Sequence, residues 1–121
     1  MPYKDEGFRK EYDRARHMAR SPEFKRNKAR RRRIETKLKV LSYYGKDGIL
    51  LCCWSGCDVI DIDMLCLDHI DNNGHEHRKL GITANRLYEK LLREEYPEGY
   101  QTLCSNHNLK KEILRRRELL L

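Results

Sequence analysis

Two short clusters of soft metal ligands constrain this chain more than any other feature. Cys104-Ser105-Asn106-His107 sets a thiol and an imidazole three residues apart at a predicted helix start. That spacing puts both side chains on one side of a turn and suits a single tetrahedral ion. The partner ligands lie about 50 residues upstream, in Cys52-Cys53-Trp54-Ser55-Gly56-Cys57. Cys57 is one of them. The other is Cys52 or Cys53, because either gap allows a turn around zinc. A structural Zn2+ at this place would tie the first predicted strand to the last predicted helix and supply folding free energy directly.

The chain needs such a staple. It has 121 residues, of which 37% are charged and 39% hydrophobic. A domain this small and polar buries too little apolar surface to rest on its core alone. Five Cys, an odd number, and the absence of an apolar secretory segment point to a cytoplasmic chain with free thiols. No apolar run approaches the roughly 20 residues of a membrane span, so a membrane partner is not expected.

Charge is unevenly spread. Residues 1–45 carry 15 Lys and Arg against 6 Asp and Glu, a net +9, whereas residues 46–121 carry 11 against 13, a net −2. The chain therefore divides into a basic, largely helical arm, 1–45, and a domain, 46–121. The densest basic stretch is Lys25, Arg26, Lys28, Arg30, Arg31, Arg32 and Arg33. Four consecutive Arg repel one another and favour an anionic partner, so the arm reads as a nucleic-acid footprint that grips phosphates without reading bases. Ser21-Pro22-Glu23 predicts a helix start, with the helix running to about Tyr43 and Ile34, Leu38 and Leu41 spaced to dock.

Further along, Ile49–Cys53 and Met64–Ile70 predict strands, and Asp71-Asn72-Asn73-Gly74 a turn. Thr83 is placed to cap a helix through about Glu95. Tyr96-Pro97-Glu98-Gly99 breaks the chain, Tyr100–Leu103 is extended, and a last helix runs from Cys104 or Ser105 to about Glu118. Cys66 sits inside the second strand and reads as packing.

Asp68-His69 falls at the end of that strand, where both side chains can serve one site if the strand bends. A carboxylate and an amide oxygen are hard ligands that suit magnesium. Asn108, four residues after Cys104, can bring the second oxygen from the final helix. A neutral imidazole beside a hydrated cation can take a proton from water near neutral pH.

The stretch Leu65-Cys66-Leu67-Asp68-His69-Ile70-Asp71-Asn72-Asn73-Gly74-His75-Glu76-His77-Arg78-Lys79, followed by Tyr96-Pro97-Glu98-Gly99-Tyr100-Gln101-Thr102-Leu103-Cys104-Ser105-Asn106-His107-Asn108, resembles the HNH endonucleases. The likeness is to the small zinc-supported forms of phages and mobile elements, and it covers about residues 40–115. It implies an α+β chain with a ββα-metal (His-Me finger) fold around one divalent cation. It further implies a metal-dependent endonuclease that hydrolyses DNA phosphodiester bonds. His69 matches the general base, Asp68 the acid that binds catalytic Mg2+ or Mn2+, and Asn108 the last metal ligand. Cys57, Cys104 and His107 match the structural zinc site, with His107 standing where Cys is more usual. His77 and Arg78 resemble a His-Arg pair of the phage forms, and Arg78 with Lys110 and Lys111 is expected to touch the DNA backbone. The family's middle Asn has no counterpart in Gly99-Tyr100-Gln101; a backbone carbonyl or Gln101 is the expected substitute. That departure sustains an alternative, a zinc-stabilised DNA-binding or packaging-accessory module with an inactive site. A third reading is an RNA-binding zinc protein.

Overall fold

Ser21 starts the longest helix, its hydroxyl oxygen accepting the Phe24 backbone N–H at 3.1 Å. Pro22 follows at the first helical position, where its missing N–H costs nothing. The computed structural model describes residues 6–19 and 21–120, so residues 1–5 and Arg20 of the expected arm lie outside the described residues. The chain forms two compact units, Met1–Arg32 and Arg33–Leu121.

The first unit holds helix α1 (Glu6–Ala19) and the start of α2 (Pro22–Tyr43). No residue of α1 is buried. The pairs Lys10–Glu6 and Arg9–Asp13, at helical spacing, contribute to its support.

The second unit adds strand β1 (Leu65–His69), α3 (Gly74–Lys79), α4 (Ala84–Arg93), strand β2 (Tyr100–Cys104) and α5 (Ser105–Leu119). β1 and β2 pair antiparallel, with Leu65 opposite Cys104 and His69 opposite Tyr100. The fold is thus mixed, helices around a small two-stranded sheet. The core gathers Val40 and Leu41 of α2, Leu65, Leu103, and Leu87 and Leu91 of α4.

Thr102 docks α2 on the sheet. It is fully buried, and each of its polar groups is satisfied. Its hydroxyl donates to the Leu41 carbonyl at 2.8 Å, its N–H to the Tyr44 carbonyl at 3.1 Å, and its own carbonyl accepts from Cys53 N–H at 2.8 Å. The last carbonyls of a helix need such partners. Thr83 caps α4 as expected, accepting from the Arg86 N–H.

Two expectations fail. Ile49–Cys53 is not a strand. Cys52 N–H bonds to Val59, Cys53 N–H to Thr102, and the Leu51 carbonyl to Lys46, so its bonds go to three separate segments and no ladder forms. Ile34 and Leu38 do not dock. They are 51% and 43% exposed, and the inward face of α2 is completed by Val40 beside Leu41. α1 lies within the arm that reads as largely helical, and α3 occupies part of the stretch that reads as loop.

Candidate functional site

Cys52, Cys57, Cys104 and His107 converge, their ligand atoms all within 4.8 Å of one another. Cys104 Sγ lies 3.2 Å from His107 Nδ1, Cys52 Sγ 3.7 Å from the same nitrogen, and Cys57 Sγ 4.0 Å from Cys104 Sγ. An ion with bonds of about 2.3 Å to sulfur and about 2.0 Å to nitrogen sets ligand separations of roughly 3.5–3.8 Å in a tetrahedron. The cluster can therefore hold a metal ion, and its three sulfurs and one nitrogen are a donor set consistent with structural zinc.

The geometry also separates Cys52 from Cys53. Cys53 turns away and donates its thiol to the Tyr44 carbonyl at 3.2 Å. Local sequence explains the turn: Gly56 adopts φ 82°, and Cys57 N–H closes on the Trp54 carbonyl at 3.0 Å. Cys104 is the N-cap of α5 and its sulfur accepts the His107 N–H. Burial pushes the Cys52 thiol up to about 11. At Cys104 burial pushes the same way, but donors from the His107 backbone and the neighbouring thiols outweigh it, and its thiol lies below the ordinary value. A cation is what would keep both as thiolates together. Trp54, the single tryptophan, stacks on His107 with ring centroids 4.9 Å apart and planes 4° from parallel.

Across β1 from this cluster a cleft of about 840 Å³ opens between β1, α3 and α5. Asp68, His69 and Asn108 all line it. β1 ends at His69, and the Asn72 N–H folds back to the His69 carbonyl at 3.0 Å, which supplies the bend that lets neighbouring side chains share one space.

Each of the three is held by named partners. Lys111 donates to Asp68 Oδ2 at 2.7 Å and also to the His69 and Ile70 carbonyls at 2.9 and 3.1 Å. Gln101, the cross-strand neighbour, donates to the same Oδ2 at 2.9 Å. Asn108 Nδ2 donates to Cys66 Sγ at 3.4 Å, and Cys66 in turn donates to the Leu103 carbonyl at 3.3 Å. Both donors on Asp68 fall on one oxygen and the Asn108 amine is spent on sulfur. Asp68 Oδ1 and Asn108 Oδ1, both hard oxygen donors, are thus left without a hydrogen-bond donor among the described residues.

His69 Nε2 sits 2.8 Å from His77 Nδ1, and the His69 ring meets Tyr100 edge-on at 5.1 Å. Burial lowers the His69 pKa, and the adjacent His77 lowers it further. Gly74 packs against the other ring nitrogen; a Cβ there would come within 3.0 Å of His69 Nδ1.

The expected basic residues scatter. Lys25, Arg26, Lys28, Arg30, Arg31, Arg32 and Arg33 are exposed on α2, as is Lys110 on α5. Arg78 lines the cleft. The Lys111 ammonium is directed at Asp68 and two carbonyls, which occupies the donors a phosphate would use. Gln101 contacts Asp68 and not His69, so the position of His69 is set by His77 and Tyr100. Sequence reasoning missed Glu112, Arg115 and Arg116 in the cleft wall. Their spacing of four, seven and eight residues after Asn108 follows one helical face and was the available signal. It also assigned Cys66 to packing, although the thiol positions Asn108.

No protein-family model, no curated protein and no solved structure matches this chain.

Proposed function

We propose that the protein is a metal-dependent endonuclease of the HNH type, with a ββα-metal site, hydrolysing phosphodiester bonds of DNA. One observation carries the reading: an imidazole, a carboxylate and an amide from two elements line a single open cleft with Arg78. The acidic and amide oxygens of Asp68 and Asn108 would hold a hydrated divalent cation. When bound, that ion supplies charge stabilisation at a phosphate oxygen and at the leaving 3′ oxygen.

The remaining roles fall to the chain itself. His69 takes a proton from water. It needs a lone pair facing the cleft, and donation from its Nε2–H to His77 Nδ1 leaves that lone pair on Nδ1. The depressed pKa keeps the ring neutral at physiological pH, the form a base requires. Gly74 keeps side-chain bulk away from that nitrogen. The Cys and His cluster, loaded with zinc, fixes the first turn of α5 and so Asn108. The basic arm holds nucleic acid through counterion release.

A second reading has its own support. The Lys111 ammonium already sits on Asp68, and no Asn stands at the family's middle position. Both favour a metal-stapled DNA-binding module without hydrolysis. A supercoiled-plasmid assay with Mg2+ or Mn2+ separates the two. Nicking by the parent chain, lost in His69→Ala with DNA binding retained, is expected for the enzyme. Salt-sensitive binding with no nicks under either metal identifies the inactive module.

A further inference from the structure

The geometry points to a seat for a nucleic-acid strand built by Arg78, Arg115 and Arg116, with the last two gripping phosphates roughly 10–12 Å along α5 from the proposed cation site. This rests on the proposed reading of the cleft as a site for a nucleic-acid strand.

Three guanidinium groups line the cleft, Arg78 from α3 and Arg115 and Arg116 from α5. Glu112 holds the α5 pair. Arg115 donates to it through Nε at 3.0 Å and Nη2 at 2.6 Å, and Arg116 through Nε at 3.1 Å. This leaves Nη1 of Arg115 and both terminal nitrogens of Arg116 to donate elsewhere, on side chains 40% and 73% exposed. Arginine presents five N–H donors in a planar fork that matches phosphate oxygens. Within the cleft Asp68 is balanced by Lys111. Glu112 is then the one other carboxylate among the described residues lining the cleft, which leaves the three guanidinium groups with an excess of two positive charges. That excess suits a polyanion and not a neutral ligand.

Spacing selects the anion. Arg115 and Arg116 follow Asn108 by seven and eight residues on one continuous helix. At about 1.5 Å per residue they stand roughly 10–12 Å along α5 from the proposed cation site. An anion that reaches from the proposed cation site to this pair must therefore carry more than one phosphate, as a nucleic-acid strand does. A lone phosphate monoester would reach one end of this row and not both. Among the basic residues of α5, the seat therefore uses Arg115 and Arg116 in place of Lys111.

The test measures binding, not cleavage. Fluorescence anisotropy with a labelled duplex is run on the full chain carrying His69→Ala, with Mg2+ and without chelator. Adding Arg115→Ala and Arg116→Ala is expected to weaken binding at least tenfold and to flatten the plot of log K against log salt by about 2. The pair Arg86→Ala and Arg93→Ala removes equal charge from α4 and is expected to change Kd less than threefold. Unchanged affinity and slope in the Arg115, Arg116 variant would overturn the proposal, as would an equal loss in the α4 control. A chain that binds as described but never nicks would sustain this seat while removing the hydrolytic reading.

Discussion

Replacing Lys111 with Met tests the link between β1 and α5. The substitution keeps the aliphatic stem and deletes three donations, to Asp68 Oδ2 and to the His69 and Ile70 carbonyls. The side chains of Lys111 and Asp68 are only 19% and 10% exposed, so water screens little of the loss. Removing one partner of a buried ion pair typically costs about 3–5 kcal/mol, because the other charge is left behind. Gln101 still donates to Asp68 and moderates this, so a destabilisation of about 3 kcal/mol is expected. For a unit of this size that corresponds to a melting point lower by roughly 10–20 °C. Urea unfolding at constant free zinc reads the change directly. The control is a double-mutant cycle with Asp68→Asn, which should show a coupling of about 2 kcal/mol. A coupling below about 0.5 kcal/mol, or a near-neutral Lys111→Met, would refute the reasoning.

The remaining predictions concern the metal cluster, the base and its neighbour. Cys52→Ser should lower zinc content below one per chain, while Cys53→Ser should leave it at one; chelation of the parent should change the emission of Trp54 as its stacking on His107 is lost, all read by elemental analysis and fluorescence. The depressed His69 pKa means that the unfolded chain takes up the proton first. The stabilising contribution of the neutral ring is thus full above the ordinary value of 6.5 and lost as pH falls through the folded value. Under the proposed function the acid limb of kcat/KM should accordingly lie below pH 6.5, and move upward in His77→Gln; a limb at or above 6.5 in the parent contradicts the assignment. Gly74→Ala should lower the nicking rate at least tenfold and leave the melting point within a few degrees, since the added Cβ presses on one imidazole and no core residue.

Much of this architecture was legible because it is written in local chemistry. Pro22 after Ser21, Thr83 before α4 and Cys104 before α5 announce helix starts through capping, and each helix begins there. The metal cluster was legible as spacing, but the choice between Cys52 and Cys53 was not. Both thiols suit a turn, and only the tertiary position of the Tyr44 carbonyl diverts one of them. Ile49–Cys53 misled for a related reason. Its apolar run matches a strand, yet its backbone is drawn to Val59 and Thr102 by the winding that brings Cys52 and Cys57 together. Ile34 and Leu38 have the period of a buried face. That face is not covered, because the core begins only at Val40. In the cleft, Asp68, His69 and Asn108 could be named from residue type and order. Their contacts with Lys111, Gln101 and Cys66 could not, since these join residues 33 to 43 positions apart; Gln101 reads as a partner for His69 but bonds Asp68.

His107 and Asn108 are consecutive on α5, one facing the sulfur cluster and the other the cleft. A disturbance on one side therefore has no slack to dissipate in before reaching the other. Loss of a metal ion from the cluster, or oxidation of its cysteines, would be felt at the opposite face of the same turn; under the proposed function, the supply of one element would then govern chemistry performed with a different one.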